Sequence, residues 1–210
     1  MSRPAWVEID LAALQANYAA AKKAHGGRVF AVLKANAYGH GALACAQALA
    51  TASPPADAFA VAFVEEALPL RAAGITQPIL VLEGAFAADD VQLAAQHQLW
   101  LVAHQAQQLQ LIEQHAGAAL HIWLKVDSGM HRVGFAPHDI AAAHARLAAL
   151  PQVEKVSFLT HLARADELDT PAPTEAQLHA FHTATANLAG WRSVSNSAAI
   201  LAWPQAHRAW

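Results

Sequence analysis

The sequence predicts one α/β domain, built as a (β/α)8 barrel of the TIM type that stops before its eighth strand. Short apolar runs alternate with helical segments about every 20 to 30 residues, which is typical of strand–helix units around a parallel sheet. Seven such units follow one another along residues 1–210, and no linker or low-complexity segment divides them. A complete barrel usually needs about 250 residues, whereas this chain has 210. We therefore expect a single, incomplete barrel domain.

Composition limits the classes of partner. Hydrophobic residues make up 55% of the chain and charged residues 14%, so much of the chain is expected to be buried. A formal net charge of −3 without a Lys/Arg cluster argues against nucleic acid or an anionic membrane as partner. The single cysteine, Cys45, has no partner for an internal disulfide and favours a reducing cytoplasm. We expect a cytoplasmic protein, without a membrane segment, that acts on a small molecule.

The apolar runs predict the strands. Residues 6–11 alternate apolar and acidic side chains, which is typical of a half-exposed strand. Residues 28–33 are rich in β-branched and aromatic side chains and predict a fully buried first barrel strand. The further predicted strands are residues 58–62, 79–82, 99–102, 120–126, 155–159 and 192–195.

Helical segments lie between these runs. Asp10 is a good N-cap for a helix that reaches residue 23. The other predicted helices are residues 42–50, 65–73 despite Pro69, 88–96, 105–115, 140–150, 174–188, and one that opens at Ser197. Because helices alternate with parallel strands, the carboxyl ends of all barrel strands should share one rim.

Lys34 directly follows the first barrel strand, where α/β barrels place their chemistry. Burial at the dry end of a strand disfavours a charged lysine, so the pKa of Lys34 should fall and leave a neutral amine that attacks carbonyl groups. A solvated lysine without a chemical role is the alternative interpretation, and position alone does not decide between them.

Polar groups follow three other strands at the same rim. Lys125, Asp127 and Arg132 follow the fifth strand, His161 follows the sixth, and residues 195–197 (Ser-Asn-Ser) follow the seventh. A polar turn that opens a helix offers hydroxyls and backbone N–H groups to a phosphate. Each group also has a purely structural interpretation. The charged residues after the fifth strand could form an ion-pair network that shapes the loop, His161 could be bonded to water, and residues 195–197 could supply a helix N-cap.

A lysine amine, a flat ring and a phosphate cradle around one mouth are the parts that hold pyridoxal 5'-phosphate. The aldehyde of this cofactor would form an imine with Lys34. Its phosphate would lie beside Ser197, and the His161 imidazole would pack against its ring.

Thirteen histidines raise the question of a metal site. The chain has no His-Glu-x-x-His motif, and the closest helical pair is His179 and His182. We interpret this pair as a solvated helix face and expect no metal.

Four motifs, in this order along the chain, resemble those of the alanine racemases, which are fold-type III pyridoxal phosphate enzymes. They are residues 31–41 (AVLKANAYGHG), 125–135 (KVDSGMHRVGF), 160–167 (THLARADE) and 195–199 (SNSAA). The resemblance spans essentially the whole chain but only the barrel part of the family's proteins.

The resemblance implies a role for each of seven residues. Lys34 would bind the cofactor aldehyde and serve as one catalytic base. Tyr38 and Ser197 would contact the phosphate, His161 would stack on the ring, and Asn196 would line the pocket. Arg132 would bind the phenolic oxygen of the cofactor and the substrate. Lys125 matches a lysine that some members carry as a carbamate bridging to that arginine.

The resemblance also implies a reaction and an assembly. The reaction would be the interconversion of L-alanine and D-alanine, which supplies D-alanine for peptidoglycan. Family members are homodimers in which a carboxyl-terminal β-domain of the partner subunit supplies a second base. We expect this chain to be the barrel fragment, without that domain, and residues 6–10 would normally pair with it.

Other functions stay open on the sequence alone. A non-catalytic pyridoxal phosphate-binding barrel would keep the lysine and the phosphate site but lack a second base. A Schiff-base aldolase would use the lysine without the cofactor, and a purely structural barrel fragment would bind no cofactor.

Overall fold

The computed structural model describes residues 4–208 and residue 210. Within them seven strands form one parallel sheet in which each strand pairs with the next along the chain. The strands are β1 (Phe30–Val32), β2 (Ala58–Val61), β3 (Ile79–Val81), β4 (Trp100–Ala103), β5 (Leu120–Lys125), β6 (Val153–Leu159) and β7 (Arg192–Ser193). A sheet of parallel strands in sequence order is the wall of a (β/α) barrel, so the predicted fold class is confirmed.

Helices connect the strands, as the sequence predicts. They are α1 (Leu11–His25), α2 (Lys34–Tyr38), α3 (Ala42–Ala50), α4 (Val64–Ala72), α5 (Ala88–Gln96), α6 (Ala106–Gln114), α7 (Ile140–Ala148), α8 (Ala172–Thr185) and α9 (Ser197–Ala202). Asp10 caps α1, since its Oδ1 accepts hydrogen bonds from the N–H groups of Ala12 (2.9 Å) and Ala13 (3.0 Å). Two short 3₁₀ turns, Pro137–Asp139 and Pro204–Ala206, were not predicted.

The sheet separates two apolar layers. Phe59 and Val61 of β2 pack outward with the helices, whereas Ala58 and Ala60 point into the barrel lumen. Trp123 of β5 also fills the lumen and is fully buried. Because alternate residues of a strand face opposite sides, the small alanines leave room for the large rings of neighbouring strands.

Trp210 lies between the two edge strands, β1 and β7. Its N–H donates to the carbonyl oxygen of Arg192 at 3.3 Å, and its ring stacks on Phe30 with centroids 4.4 Å apart. In the part of the chain that the structure describes, β1 and β7 do not pair directly. The wall is therefore open at this seam.

Two predictions about the amino-terminal region are wrong. Residues 5–10 form no strand, and Trp6 and Val7 are 85% and 84% exposed. No neighbouring strand among the described residues satisfies their backbone groups, and alternation alone does not make a strand. The first barrel strand is not fully buried either: Val32 is 39% exposed because β1 is an edge strand beside the open mouth.

None of the helices in the described part of the chain is both long and apolar enough to cross a lipid bilayer.

Candidate active site

One cavity of about 520 Å³ occupies the mouth of the barrel, at the carboxyl ends of the strands. Its lining includes all seven residues that the sequence singles out as site residues: Lys34, Tyr38, Lys125, Arg132, His161, Asn196 and Ser197. These residues come from segments that follow or end β1, β5, β6 and β7. The structure therefore brings them together, while their chemical roles stay predictions.

Lys34 begins a left-handed turn, which the sequence did not predict. After β1, the backbone N–H of Leu33 donates to Ala60 at 2.7 Å, and the chain then turns away from the sheet. Ala35, Asn36 and Ala37 have φ of 51°, 55° and 53° with ψ of 47° to 49°. This α2 turn is thus a left-handed helical turn that opens at a half-buried Lys34, so the expected dry strand end is not found.

Left-handed backbone is unfavourable for residues other than glycine. Each such residue costs roughly 1–2 kcal/mol because Cβ approaches the following carbonyl oxygen. Tyr38, with φ of 54°, continues the turn, and Gly39 with φ of 85° ends it. Four consecutive non-glycine residues in this conformation persist only where the surroundings hold them. Their effect is to direct both Lys34 and Tyr38 toward the same cavity.

Lys125, the last residue of β5, is deeply buried beneath the mouth and only 6% exposed. Burial, and next the nearby charge of Arg132, lower the pKa of its amine to about 8, against smaller opposing effects of Asp127 and Glu83. A substantial neutral fraction of the amine is therefore present slightly above neutral pH.

The loop of residues 127–135 carries Arg132 over the cavity. The Asp127 Oδ1 accepts the N–H groups of Gly129 (3.1 Å) and His131 (2.9 Å), and the Asp127 N–H donates to Phe135 at 2.9 Å. Asp127 is thus used to fold the loop. Within the described residues no ion pair joins it to Lys125 or Arg132, so the ion-pair network considered from the sequence is not formed.

His161 lies at the end of β6 as a half-buried ring. Burial lowers the pKa of its imidazole, and the charges of Lys125, Arg132 and Lys34 lower it further. Both effects favour the neutral form of the ring. It can therefore pack flat against another ring without adding charge.

Two hydroxyls fasten the neighbouring strand ends beneath this ring. The Thr160 hydroxyl donates to the carbonyl oxygen of Val126 at 2.9 Å and lies 2.8 Å from the Ser128 hydroxyl. These buried contacts hold the end of β6 against the segment that follows β5.

Asn196 and Ser197 stand where α9 begins. The Asn196 Oδ1 accepts the N–H of Ala199 and its Nδ2 donates to the carbonyl oxygen of Leu162, both at 3.0 Å. The structural interpretation of Asn196 as a helix N-cap is therefore correct, and the same residue lines the cavity. Ser197 is exposed at the mouth.

Sequence reasoning missed Glu66 and Glu83. The Glu66 carboxylate accepts the backbone N–H of Ala35, directly after Lys34, at 2.7 Å. Glu83 follows β3 and lines the cavity on the side of Lys125. An acidic pair in the first turn of a helix, such as Glu65-Glu66, is a signal for N-terminal capping, but the sequence spacing carries no signal of a contact 31 residues away.

The known proteins that this chain resembles are alanine racemases. Residues 9–210 match the model of a family described as "Alanine racemase, N-terminal domain". An alanine racemase from Aromatoleum aromaticum is 55% identical over 210 residues, which cover 99% of this chain and 58% of that protein. A catabolic alanine racemase from Pseudomonas aeruginosa is 53% identical over 209 residues, covering 99% of this chain and 57% of that protein.

A solved structure shares the fold. The crystal structure of the biosynthetic alanine racemase from Pseudomonas aeruginosa matches with a TM-score of 0.90 and 44% identity, covering 96% of this chain and 56% of that chain. This chain therefore spans a little over half the length of the relatives it matches.

Proposed function

The chain belongs to the alanine racemase family through its N-terminal domain, and from this premise we propose that residues 1–210 form the pyridoxal phosphate-binding barrel of an enzyme that interconverts L-alanine and D-alanine. The observation that carries the proposal is the shared cavity. Lys34, Arg132, His161 and Ser197 come from four different segments of the barrel wall and line one space. A volume of about 520 Å³ lies within the range of roughly 300–1,000 Å³ that is common for small-molecule sites.

The donor set of the cavity fits this cofactor. The Lys34 amine would bind its aldehyde, and the hydroxyls of Tyr38 and Ser197 would contact its phosphate. His161 would provide a flat ring for stacking, and the Arg132 guanidinium would bind the phenolic oxygen. Three cationic side chains around the mouth also favour an anionic cofactor and the carboxylate of an amino acid.

The α-proton of alanine is too weakly acidic to leave unaided at neutral pH. Pyridoxal phosphate, when bound, supplies an electron sink that makes this proton removable. Once the substrate amine has replaced Lys34 on the aldehyde, the freed Lys34 amine could take the proton at its Nζ on one face of the substrate and return it there as a general acid. Arg132 holds the substrate carboxylate, so the α-carbon stays within reach of Lys34.

Racemisation also needs a second base on the opposite face. The chain has two tyrosines, Tyr18 and Tyr38. The Tyr18 hydroxyl is bound to Asp57 at 3.0 Å, remote from the cavity lining, and Tyr38 shares the turn of Lys34. We propose that the whole protein obtains the second base from a partner subunit, as a homodimer.

The neutral fraction of Lys125 supports a further step of the proposal. A neutral amine attacks carbon dioxide and loses a proton, which gives a carbamate with one negative charge. At Lys125 this charge lies beside Arg132 and would hold the guanidinium in place.

We place the enzyme in the cytoplasm and propose that it supplies D-alanine for peptidoglycan. A catabolic use of D-alanine is the alternative physiological role, because relatives of similar identity carry both descriptions.

A non-catalytic pyridoxal phosphate-binding barrel is the second candidate function. The observation that favours it is that the phenol of Tyr38, on the lysine's own turn, is the one tyrosine hydroxyl in the cavity lining of the described residues. Formation of D-alanine from L-alanine by the purified protein would reject this candidate.

Covalent capture of the cofactor at Lys34 tests the proposal directly. We expect the purified chain to develop visible absorbance with pyridoxal phosphate, and borohydride reduction followed by peptide mapping should place the label on Lys34. The Lys34→Ala variant should lose both signals, whereas Lys23→Ala, on the exposed side of α1, should keep them. Label on another lysine would contradict the assignment, and a lysine that reacts with carbonyl substrates but not with the cofactor would indicate an aldolase. Absence of any cofactor binding would indicate a structural barrel.

A further inference from the structure

Glu66 lies in the first turn of α4, yet its side chain reaches the turn that follows a different strand. Its Oε1 accepts the backbone N–H of Ala35 at 2.7 Å. Its Oε2 accepts the N–H groups of Ala62 at 2.6 Å and Phe63 at 3.3 Å. One carboxylate therefore binds three backbone amides from the segments that follow β1 and β2.

We propose that Glu66 is a positioning residue that holds the left-handed turn and thereby aims the Lys34 amine and the Tyr38 hydroxyl into the cavity. The inference rests on the proposed function, since it concerns the binding of pyridoxal phosphate at Lys34. Glu66 itself is not part of the cavity lining, so it acts through the backbone.

The backbone N–H of Ala35 needs a hydrogen-bond acceptor from outside the turn. The first N–H groups of any helical turn have no partner within the turn, and the N–H of Ala35 is one of them. Residues 35–38 are also in a backbone conformation that residues with a Cβ avoid, so they relax unless an outside group holds them. A charged acceptor gives a stronger hydrogen bond than a neutral one, which suits a strained segment.

The other side-chain hydrogen bonds of the turn are local. The Asn36 Oδ1 accepts the N–H of Ala42 at 2.8 Å, and the His40 ring contacts the carbonyl oxygen of Ala37 at 2.8 Å. Within residues 4–208 and 210, Glu66 is the one side chain from beyond residue 45 that hydrogen-bonds residues 34–39. The Glu66 carboxylate thus supplies the side-chain link between the turn and the rest of the barrel wall.

The hydrogen bond from Ala35 to Glu66 affects the cavity because of where Lys34 lies. Lys34 directly precedes Ala35, and Tyr38 is the last residue of α2. In the proposed function these two side chains would bind two neighbouring substituents of one cofactor ring, its aldehyde and its phosphate. A turn that relaxes therefore changes the spacing of both groups at once and weakens cofactor capture.

The chain offers a matched control in Glu65. Glu65 is adjacent in sequence, lies in the same first turn of α4, and is exposed. Glu65→Gln and Glu66→Gln remove the same charge from the same helix end. A difference between the two variants therefore reports the contacts of Glu66 and not the loss of charge at the helix.

The first measurement needs no cofactor. Amide hydrogen exchange should rise in a peptide that covers residues 33–41 in Glu66→Ala, with little change over residues 120–125 of β5. Glu65→Gln should match the wild type in both peptides. Glu66→Gln keeps an amide oxygen that can accept one hydrogen bond, so its exchange should be intermediate. Equal exchange over residues 33–41 in all four proteins would overturn the proposal.

The second measurement follows covalent capture of pyridoxal phosphate by visible absorbance and borohydride trapping at Lys34. We expect Glu66→Ala to lower the apparent affinity about tenfold or more, the scale of one lost charge-assisted hydrogen bond, and Glu66→Gln to restore part of it. If exchange rises but capture at Lys34 is unchanged, Glu66 does not position the lysine and the proposal is wrong. If Glu66→Ala does not fold, Glu66→Gln compared with Glu65→Gln decides the question.

The two proposals fail in different ways. A wild-type protein that captures no cofactor at Lys34 overturns the proposed function. The exchange comparison then still decides whether Glu66 holds the turn, because it is made without the cofactor.

Discussion

Burial changes the acid–base chemistry of the Lys125 side chain. Its amine lies at the end of β5 with a pKa lowered to about 8, mainly by burial. An exposed lysine stays charged until far higher pH. The lysine can therefore be modified at the amine under conditions in which exposed lysines are protonated.

We predict that Lys125 takes up carbon dioxide as a carbamate. Wild-type protein in ¹³C-labelled bicarbonate above pH 8 should show a carbamate carbon resonance in its NMR spectrum, because the amine is then mostly neutral. Lys125→Arg should lack the resonance, since a guanidinium stays protonated and keeps the positive charge. A resonance that persists in Lys125→Arg, or that is absent from the wild type, would refute the prediction.

Sequence reasoning predicted where the site residues lie but not the backbone conformation around Lys34. The sequence predicted that Lys34, His161 and Ser197 would share one mouth, because each follows a parallel strand. It did not predict the left-handed turn after Lys34, since asparagine alone among these residues adopts that conformation readily, and then as a single residue and not as one of four in succession. The turn depends on distant contacts, and such contacts have no signature in sequence spacing.

At the scale of an element, the loop of residues 127–135 is built around one close backbone approach. Gly134 has φ of 134°, and a Cβ there would lie 2.6 Å from the backbone nitrogen of Asp127. Any side chain at this position would push apart the two ends of the loop that carries Arg132. The second of the two glycines in the motif of residues 125–135 is thus explained by packing.

We predict that Gly134→Ala destabilises the protein by about 1–3 kcal/mol, because it adds a steric clash to an unfavourable φ. Urea unfolding measures the change. Gly74→Ala is the control, since Gly74 also has a positive φ, of 85°, but open space around its Cβ position. Equal losses in the two variants would show that the close approach contributes nothing.

Element boundaries were less predictable than element order. β6 begins at Val153 and not at residue 155, because Leu120 pairs with Val153 before an irregularity in the register of β5. β1 was predicted at 28–33 but is confined to Phe30–Val32, the residues that pair with β2. A strand ends where its neighbour stops pairing, and a single run of apolar residues does not contain this information.

At the scale of the whole molecule, the lumen contains a titratable group. His121 packs beside Trp100 and Trp123, with ring centroids 4.3 and 5.6 Å away, and contacts the Ser157 hydroxyl at 2.9 Å. Burial, together with a smaller effect of the Lys155 charge, lowers the pKa of His121 to about 3. The folded protein thus resists protonation of a ring that the unfolded chain protonates near pH 6.5.

We predict that this histidine makes the fold sensitive to acid. Above the unfolded pKa its contribution to stability is fully present, and as pH falls from about 6.5 toward 3 it is lost by about 1.4 kcal/mol per pH unit. His121→Gln should flatten the pH dependence of the free energy of unfolding by about one proton over this range. His179→Gln, on the exposed face of α8, should leave the slope unchanged. An unchanged slope in His121→Gln would contradict the prediction.

The sequence predicted the strand order of the whole molecule but not how its lumen is filled. The regular alternation of apolar runs and helices was sufficient to place seven strands side by side. Within β2 every residue is apolar and buried, so the outward Phe59 and the inward Ala60 look equivalent in sequence. Their directions follow from the curvature of the barrel and the size of facing side chains.

The crowded lumen gives the protein an optical property. The indole rings of Trp100, Trp123, Trp191 and Trp210 have all their centroid separations between 5.5 and 6.5 Å. Light absorbed by any one of them is shared among the four, and Trp210 also borders the mouth cavity. A yellow compound bound in that cavity would quench the fluorescence of these tryptophans. Intrinsic tryptophan fluorescence therefore reports whether the cavity is occupied.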